Sequence, residues 1–239
     1  MLIVDKNRCD WYYFRMNTEL DNEHRIKTAV LVSGGGTNLQ ALIDEERRMT
    51  SSGETCPYKI EIVISSTKDA YALERAAAAG INAVVVSPAS VLGAAYTRST
   101  PRDVKRLAVS DKVLEICREE GIEAIVLAGF LTVLSGDIVT EYSGRIINLH
   151  PALLPKFGGV GMWGHNVHEA VLAAGEKESG CTVHLVDAGC DTGKILLQRK
   201  VPVMPDDTPE TLYARIAPLE HEAMVEGLKL LSASLSKQS

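Results

Sequence analysis

The stretch TAVLVSGGGTNLQALIDEERR, residues 28–48, decides the fold. Its first six residues are a short apolar run ending in glycines, which reads as a buried strand. NLQALIDEERR (38–48) then places Leu39, Leu42 and Ile43 at helical spacing. The same unit recurs outward from it. YKIEIVIS (58–65) reads as a second strand, and YALERAAAAG (71–80) as a helix closed by glycine. NAVVV (82–86) is a third strand. A Ser/Pro-containing loop follows, then a helix from Arg102 to Glu120. IEAIVLAG (122–129) and RIINLH (145–150) are the fourth and fifth strands. A Gly/Pro-rich segment, PALLPKFGGVGMWG, leads into the helix HNVHEAVLAAG. TVHLVD (182–187) and KILLQRKVPV (194–203) are strands around a glycine-bearing turn. Thr208 caps a last helix, with Pro209 in its first turn.

Helices alternate with strands that are near-continuous apolar runs. That pattern predicts an α/β fold: a single doubly wound, mostly parallel sheet flanked by helices, Rossmann-like in class. No repeat, low-complexity tract or linker interrupts it, so residues 27–239 are read as one domain. Residues 1–26 are charged and aromatic without a clear period, and are read as an extension of unknown order.

Composition excludes several classes. The chain has 239 residues, 46% apolar and 23% charged, with net charge −6. A chain this long buries a large core without staples, and so apolar a chain is not disordered. An acidic balance leaves no broad basic surface for nucleic acid. The most apolar run, Ala124 to Leu134, is far short of the roughly 20 residues of a spanning helix. The N-terminus has no apolar core of a signal peptide. No membrane association is expected. Cys9, Cys56, Cys117, Cys181 and Cys190 are odd in number and form no C-x-x-C. They suit free thiols in a reducing, cytoplasmic setting.

Ligands of such sheets bind beyond the carboxyl ends of the strands. The first strand ends in Ser33-Gly34-Gly35-Gly36-Thr37-Asn38, directly before a helix. Glycines let backbone approach a ligand, and free N–H groups with the helix dipole favour an anion. Phosphate is the natural guest; the bland alternative is a tight turn. A Val at Gly36 would put a Cβ where backbone must approach that ligand. G-x-G-x-x-G fails because Leu39 replaces the third glycine. Gly189 to Lys194 falls one residue short of a Walker A loop, with Ile195 in place of Ser/Thr. A phosphate site for a monophosphorylated small molecule remains.

Asn148 and His150 alternate with Ile147 and Leu149 at the end of the fifth strand, so both point the same way. An imidazole transfers protons near neutral pH, and an amide donates to an oxyanion. Asp191 lies in the loop Asp187 to Gly193. There it either raises the pKa of an imidazole or simply bonds its own turn. His184 reads as a satisfied core histidine or a partner behind the site. His165 and His168, three apart on a helix, lack a third ligand, so a capping or packing role is preferred to a metal. Arg106 and Glu220-His221 read as solvated charges on helices.

SGGGTNLQ (33–40), LAGFLTVLS (127–135), INLHPALLPKF (147–157) and DTGKILLQ (191–198) together resemble the phosphoribosylglycinamide formyltransferases. These are the folate-dependent enzymes of purine biosynthesis, also called glycinamide ribonucleotide transformylases. The resemblance runs in order from Lys27 to the last helix. The Asn-x-His-Pro element with its later aspartate is shared more widely, with methionyl-tRNA formyltransferases and formyltetrahydrofolate hydrolases. The phosphate loop is more specific. The resemblance implies Asn148, His150 and Asp191 as the catalytic set. Gly35, Gly36, Thr37, Asn38 and Glu220 would contact the ribonucleotide. Leu131, Thr132, Val133, Leu134, Val186, Asn148 and Asp191 would line the folate site, with Arg106 near its arginine. Thr132 stands where many members carry arginine, and the loop GGVGMWG (158–164) is of a longer kind in which Met162 and Trp163 shape the pocket or pack.

The implied reaction moves formyl from 10-formyltetrahydrofolate, a co-substrate, to the glycinamide amine, giving the N-formyl product and tetrahydrofolate. Asp191 would keep His150 protonated. No metal is implied, and the partners are small molecules, with a homodimer left open. The alternatives are a formyltetrahydrofolate hydrolase, whose N-terminal regulatory domain the 26-residue extension is too short to be, and a non-catalytic phosphate-ligand binding module.

Overall fold

The structure, a computed structural model, describes residues 24–237. Seven strands form one sheet in the order β3-β2-β1-β4-β5-β6-β7. They are β1 (Ile26–Val32), β2 (Tyr58–Ser65), β3 (Asn82–Val85), β4 (Ala124–Leu127), β5 (Ile146–His150), β6 (Glu178–Leu185) and β7 (Ile195–Pro202). Strands β1 to β5 run parallel; β6 is antiparallel to both β5 and β7. The expected doubly wound, mostly parallel sheet is observed.

Both faces are covered, which is why the strands read as unbroken apolar runs. Val30 and Val32 of β1 face one layer, made by α1 (Thr37–Ser51), α2 (Tyr71–Ala79), α6 (His165–Ala173) and α7 (Pro209–Leu235). Ala29 and Leu31 face the other, where α4 (Arg102–Glu119) and α5 (Asp137–Glu141) pack. The Ser/Pro loop after β3 contains the short helix α3 (Pro88–Leu92), capped by Ser87. Thr208 caps α7 as expected, accepting from the Thr211 N–H, with Pro209 in the first turn.

Several boundaries move: β4 shrinks from 122–129 to Ala124–Leu127, and β6 starts earlier. Strand β1 opens at Ile26 rather than Thr28, and Arg25 donates to the Tyr58 carbonyl at 2.7 Å. Apart from His24, Arg25 and Ile26, the segment read as an N-terminal extension lies outside the described residues, Cys9 included. Strand β6 begins at Glu178 instead of Thr182. Cys56, Cys117, Cys181 and Cys190 are free. Among the described residues no helix is long and apolar enough to cross a membrane.

The chain leaves β1 to one side for β2 and returns to the other side for β4. This switch point opens a crevice at the carboxyl ends of β1 and β4, where ligands of such sheets bind.

Candidate active site

The loops after β1, β4 and β5 and the turn between β6 and β7 enclose a cavity of about 790 Å3 at that edge. Every site residue expected from the sequence lines it: the glycine loop through Asn38, Arg106, Leu131 to Leu134, Asn148, His150, Val186, Asp191 and Glu220. Met162 and Trp163 line it as well.

Asn148 and His184 stand opposite each other in the β5–β6 register. Directly opposed side chains meet, and Asn148 Nδ2 lies 3.1 Å from His184 Nε2. His184 Nδ1 lies 2.9 Å from the Leu185 carbonyl, which can only accept. Nδ1 therefore donates to that carbonyl, and Nε2 accepts from the Asn148 amide. His184 is both a buried core residue and the group that orients Asn148.

His150 is 3% exposed. Its Nε2 donates to the Phe157 carbonyl at 2.7 Å, and its Nδ1 lies 3.5 Å from Asp191 Oδ2. Burial depresses the imidazole pKa; Asp191 and the Phe157 carbonyl push back, but burial wins. Asp191 thus favours the imidazolium, as expected, but in the ligand-free site it does not outweigh burial. The carboxylate sits beyond hydrogen-bond length and its charge is shared, while the ring has lost nearly all its solvent.

Within its own turn Asp191 meets only the Cys190 thiol, at 3.8 Å, and not the backbone. Asp187 bonds the turn, its Oδ1 accepting from the Gly189 N–H and the Thr192 hydroxyl. Asp191 instead takes a left-handed backbone, φ 58°, and its Oδ2 accepts from the Gly159 N–H at 2.9 Å. Its Oδ1 is 3.6 Å from His184 Nε2. Burial raises the carboxyl pKa, but its polar neighbours, the Gly159 N–H among them, outweigh it and hold it below the ordinary value.

At the glycine loop, Gly36 is the N-cap of α1 with φ 70°, and no side chain caps the helix. Its first-turn N–H groups lack intrahelical partners. Asn38 is 9% exposed, and its Oδ1 has no hydrogen-bond partner. The reason for glycine at 36 differs from the expected one. A Cβ there would lie 2.6 Å from Ala72 Cβ, whereas Gly34 and Gly35 have open space. Gly36→Val is therefore expected to destabilise the fold by about 2 kcal/mol or more, while Gly35→Val keeps stability and loses phosphate affinity. Thermal melts beside phosphate titrations would separate the two; equal behaviour of the variants would refute the distinction.

Glu220 is not a solvated surface charge. Helix α7 turns it into the cavity at 6% exposure. Burial lifts its carboxyl to about 7, against a hydrogen bond from Asn38. Between pH 4.5 and about 7 the unfolded chain releases this proton while the folded chain keeps it. Folding stability therefore falls as pH rises through that window. Glu220→Gln is expected to stabilise the ligand-free protein by up to about 3 kcal/mol at pH 8 and by nothing at pH 4. Urea melts at both pH values check this.

Arg106 is half-buried and lines the cavity, not a solvated charge. Arg102, Tyr213 and His168 were missed as site residues. Arg102 lies one helical turn before Arg106, so i,i+4 spacing could have found it. His165 lies 2.7 Å from Glu210, whereas His168 is buried, its ring 5.6 Å from that of Tyr213. The two histidines thus have different surroundings.

An anion-type helix start and an Asn–His–Asp cluster thus share one crevice. A family model described as Formyl transferase matches residues 26–228. The chain belongs to the formyltransferase family. It is 37% identical to a solved structure of glycinamide ribonucleotide transformylase 1 from Symbiobacterium toebii, with TM-score 0.75, covering 89% of this chain and 90% of that one. It is 37% identical over 202 residues to the chloroplastic phosphoribosylglycinamide formyltransferase of Arabidopsis thaliana, covering 84% of this chain and 64% of that protein. Over 225 residues it is 40% identical to the trifunctional purine biosynthetic protein adenosine-3 of Drosophila melanogaster, covering 91% of this chain and 15% of that protein. The chain thus spans about a seventh of that trifunctional relative.

Proposed function

We propose that this protein transfers formyl from 10-formyltetrahydrofolate to the amine of 5'-phosphoribosylglycinamide, within a formyltransferase domain of residues 27–239. The observation that carries the reading is that Asn148, His150 and Asp191 share one cavity with the glycine loop at the start of α1. The loop from Gly35 to Asn38 holds the phosphate, and Glu220 meets the ribose, so remote binding energy positions the amine. Leu131 is 64% exposed and Val133 39%, an apolar wall that suits the flat pteridine alongside Val186. Arg106 stands on the folate side. Thr132 offers no charge, so its contact there is through backbone.

The neutral amine attacks the formyl carbon, forming a C–N bond and a tetrahedral oxyanion. An amide nitrogen carries two protons. One of Asn148's is held by His184, which leaves the other for the oxyanion. The developing charge and Asp191 then flank His150 with two anions, and its proton affinity rises at that step. The bond to N10 breaks, and the amine proton passes to N10, directly or by way of Asp191 or water. Such a site needs no metal.

Incubation with 10-formyltetrahydrofolate, with and without the ribonucleotide, tests this. Tetrahydrofolate formed only with the ribonucleotide supports transfer. Turnover with water alone would make the protein a hydrolase, and no turnover a binding module. The free thiols suit a reducing compartment, and a cytoplasmic location is the reading to test. A homodimer is the assembly to test by light scattering.

A further inference from the structure

We propose that Arg75, on α2, is a positioning residue for the phosphate end of the site, turning the Gly35–Gly36 peptide so that its N–H faces the ligand. This rests on the reading of residues 35–38 as the phosphate site.

Two consecutive carbonyls of the glycine loop are drawn toward α2. The Ala72 N–H donates to the Gly34 carbonyl at 3.1 Å, and Arg75 Nε donates to the Gly35 carbonyl at 2.8 Å. In a trans peptide the N–H points opposite to the C=O. The N–H groups of Gly35 and Gly36 therefore point away from α2. No residue of α2 lines the cavity, whereas Gly34 to Asn38 all do, so the loop stands between the two. Away from α2 is toward the ligand. The loop also passes close to α2 at Gly36, where an added Cβ would lie 2.6 Å from Ala72 Cβ.

The guanidinium is itself held. Its Nη1 donates to Gln40 Oε1 on α1 at 3.0 Å, and its carbon lies 5.0 Å from the centre of the Tyr71 ring. A planar fork grips two acceptors with one geometry, which a lysine cannot reproduce. The same group sets a cation behind the loop of an acidic protein. The unpartnered, buried Asn38 Oδ1 at this loop, an acceptor, independently marks a place where a donor group of a ligand, such as a hydroxyl, is expected.

The full chain would be compared with Arg75→Met and Arg75→Lys by calorimetric titration with inorganic phosphate and by steady-state kinetics. Arg75→Met is expected to weaken phosphate about tenfold and to raise the ribonucleotide KM by a similar factor. Its kcat and folate KM should stay within twofold. Arg75→Lys, which keeps charge but not the fork, should fall between it and wild type. If Arg75→Met does not fold, the lysine variant decides alone. Phosphate affinity within twofold of wild type in the folded variants, a wild type that does not bind phosphate, or a fall in kcat at constant KM would each overturn the proposal. If the wild type transfers no formyl group, the functional reading fails, while the phosphate titration still decides the role of Arg75.

Discussion

Asp191→Asn is expected to lower kcat by about 10²–10⁴-fold while leaving both KM values nearly unchanged. Asparagine keeps the size of the side chain, tolerates the left-handed backbone at φ 58°, and can still accept from the Gly159 N–H. What it lacks is charge. Asp191 is the group whose charge opposes the burial that depresses His150. Without it the imidazole pKa falls further, and less imidazolium is available when the oxyanion forms. The limb on which activity falls as pH rises through the His150 pKa should therefore move to lower pH. The phosphate loop and the Leu131–Leu134 wall keep their contacts, so binding persists. Steady-state kinetics across pH, beside ligand titrations, read both effects. A fall in kcat of less than about tenfold would return Asp191 to a structural role.

Gly193→Ala is expected to destabilise the protein by about 3 kcal/mol or more and to remove most activity. A Cβ at this position would lie 1.8 Å from the Leu185 carbonyl oxygen and 2.8 Å from its carbon. Both atoms are backbone at the end of β6, so no side chain can yield. The turn itself must shift, and it carries Asp187, which organises it, and Asp191. For a chain of this size such a loss lowers Tm by roughly 6–12 °C. Gly34→Ala, with open space around its Cβ, is the control for stability. A Gly193→Ala protein melting within about 2 °C of wild type and retaining its kcat would show that the turn relaxes freely.

The alternation of strands and helices was legible because burial on both faces writes apolar runs such as Ala29 to Val32 into the chain. The start of β6 was not. Glu178, Ser179 and Gly180 carry no strand pattern, and they become strand by pairing with Pro202, Val201 and Lys200 of β7. A Cβ on Gly180 would meet the Arg199 carbonyl oxygen at 1.8 Å. It marks close contact between strands.

The site divides in the same way. Period-two geometry on β5 put Asn148 and His150 on one side, and a triple glycine before a helix suggested an anion site; both are local facts that a linear chain displays. Glu220 and Arg106 looked like ordinary helix charges because helical periodicity shows which residues share a face, not what that face meets. Only packing placed them in the cavity. The net direction of the His150 pKa in the ligand-free site was not legible for a related reason. Motif matching pairs His150 with Asp191, but the balance between a carboxylate at 3.5 Å and a ring with 3% of its surface exposed depends on three-dimensional enclosure. Sequence alone determined which elements form and which chemical groups end the strands, since propensity and periodicity act between near neighbours. The tertiary structure decided which groups are desolvated, which carbonyls are tied back by α2, and why Gly36 must be glycine, since desolvation and steric exclusion act between residues distant in the chain.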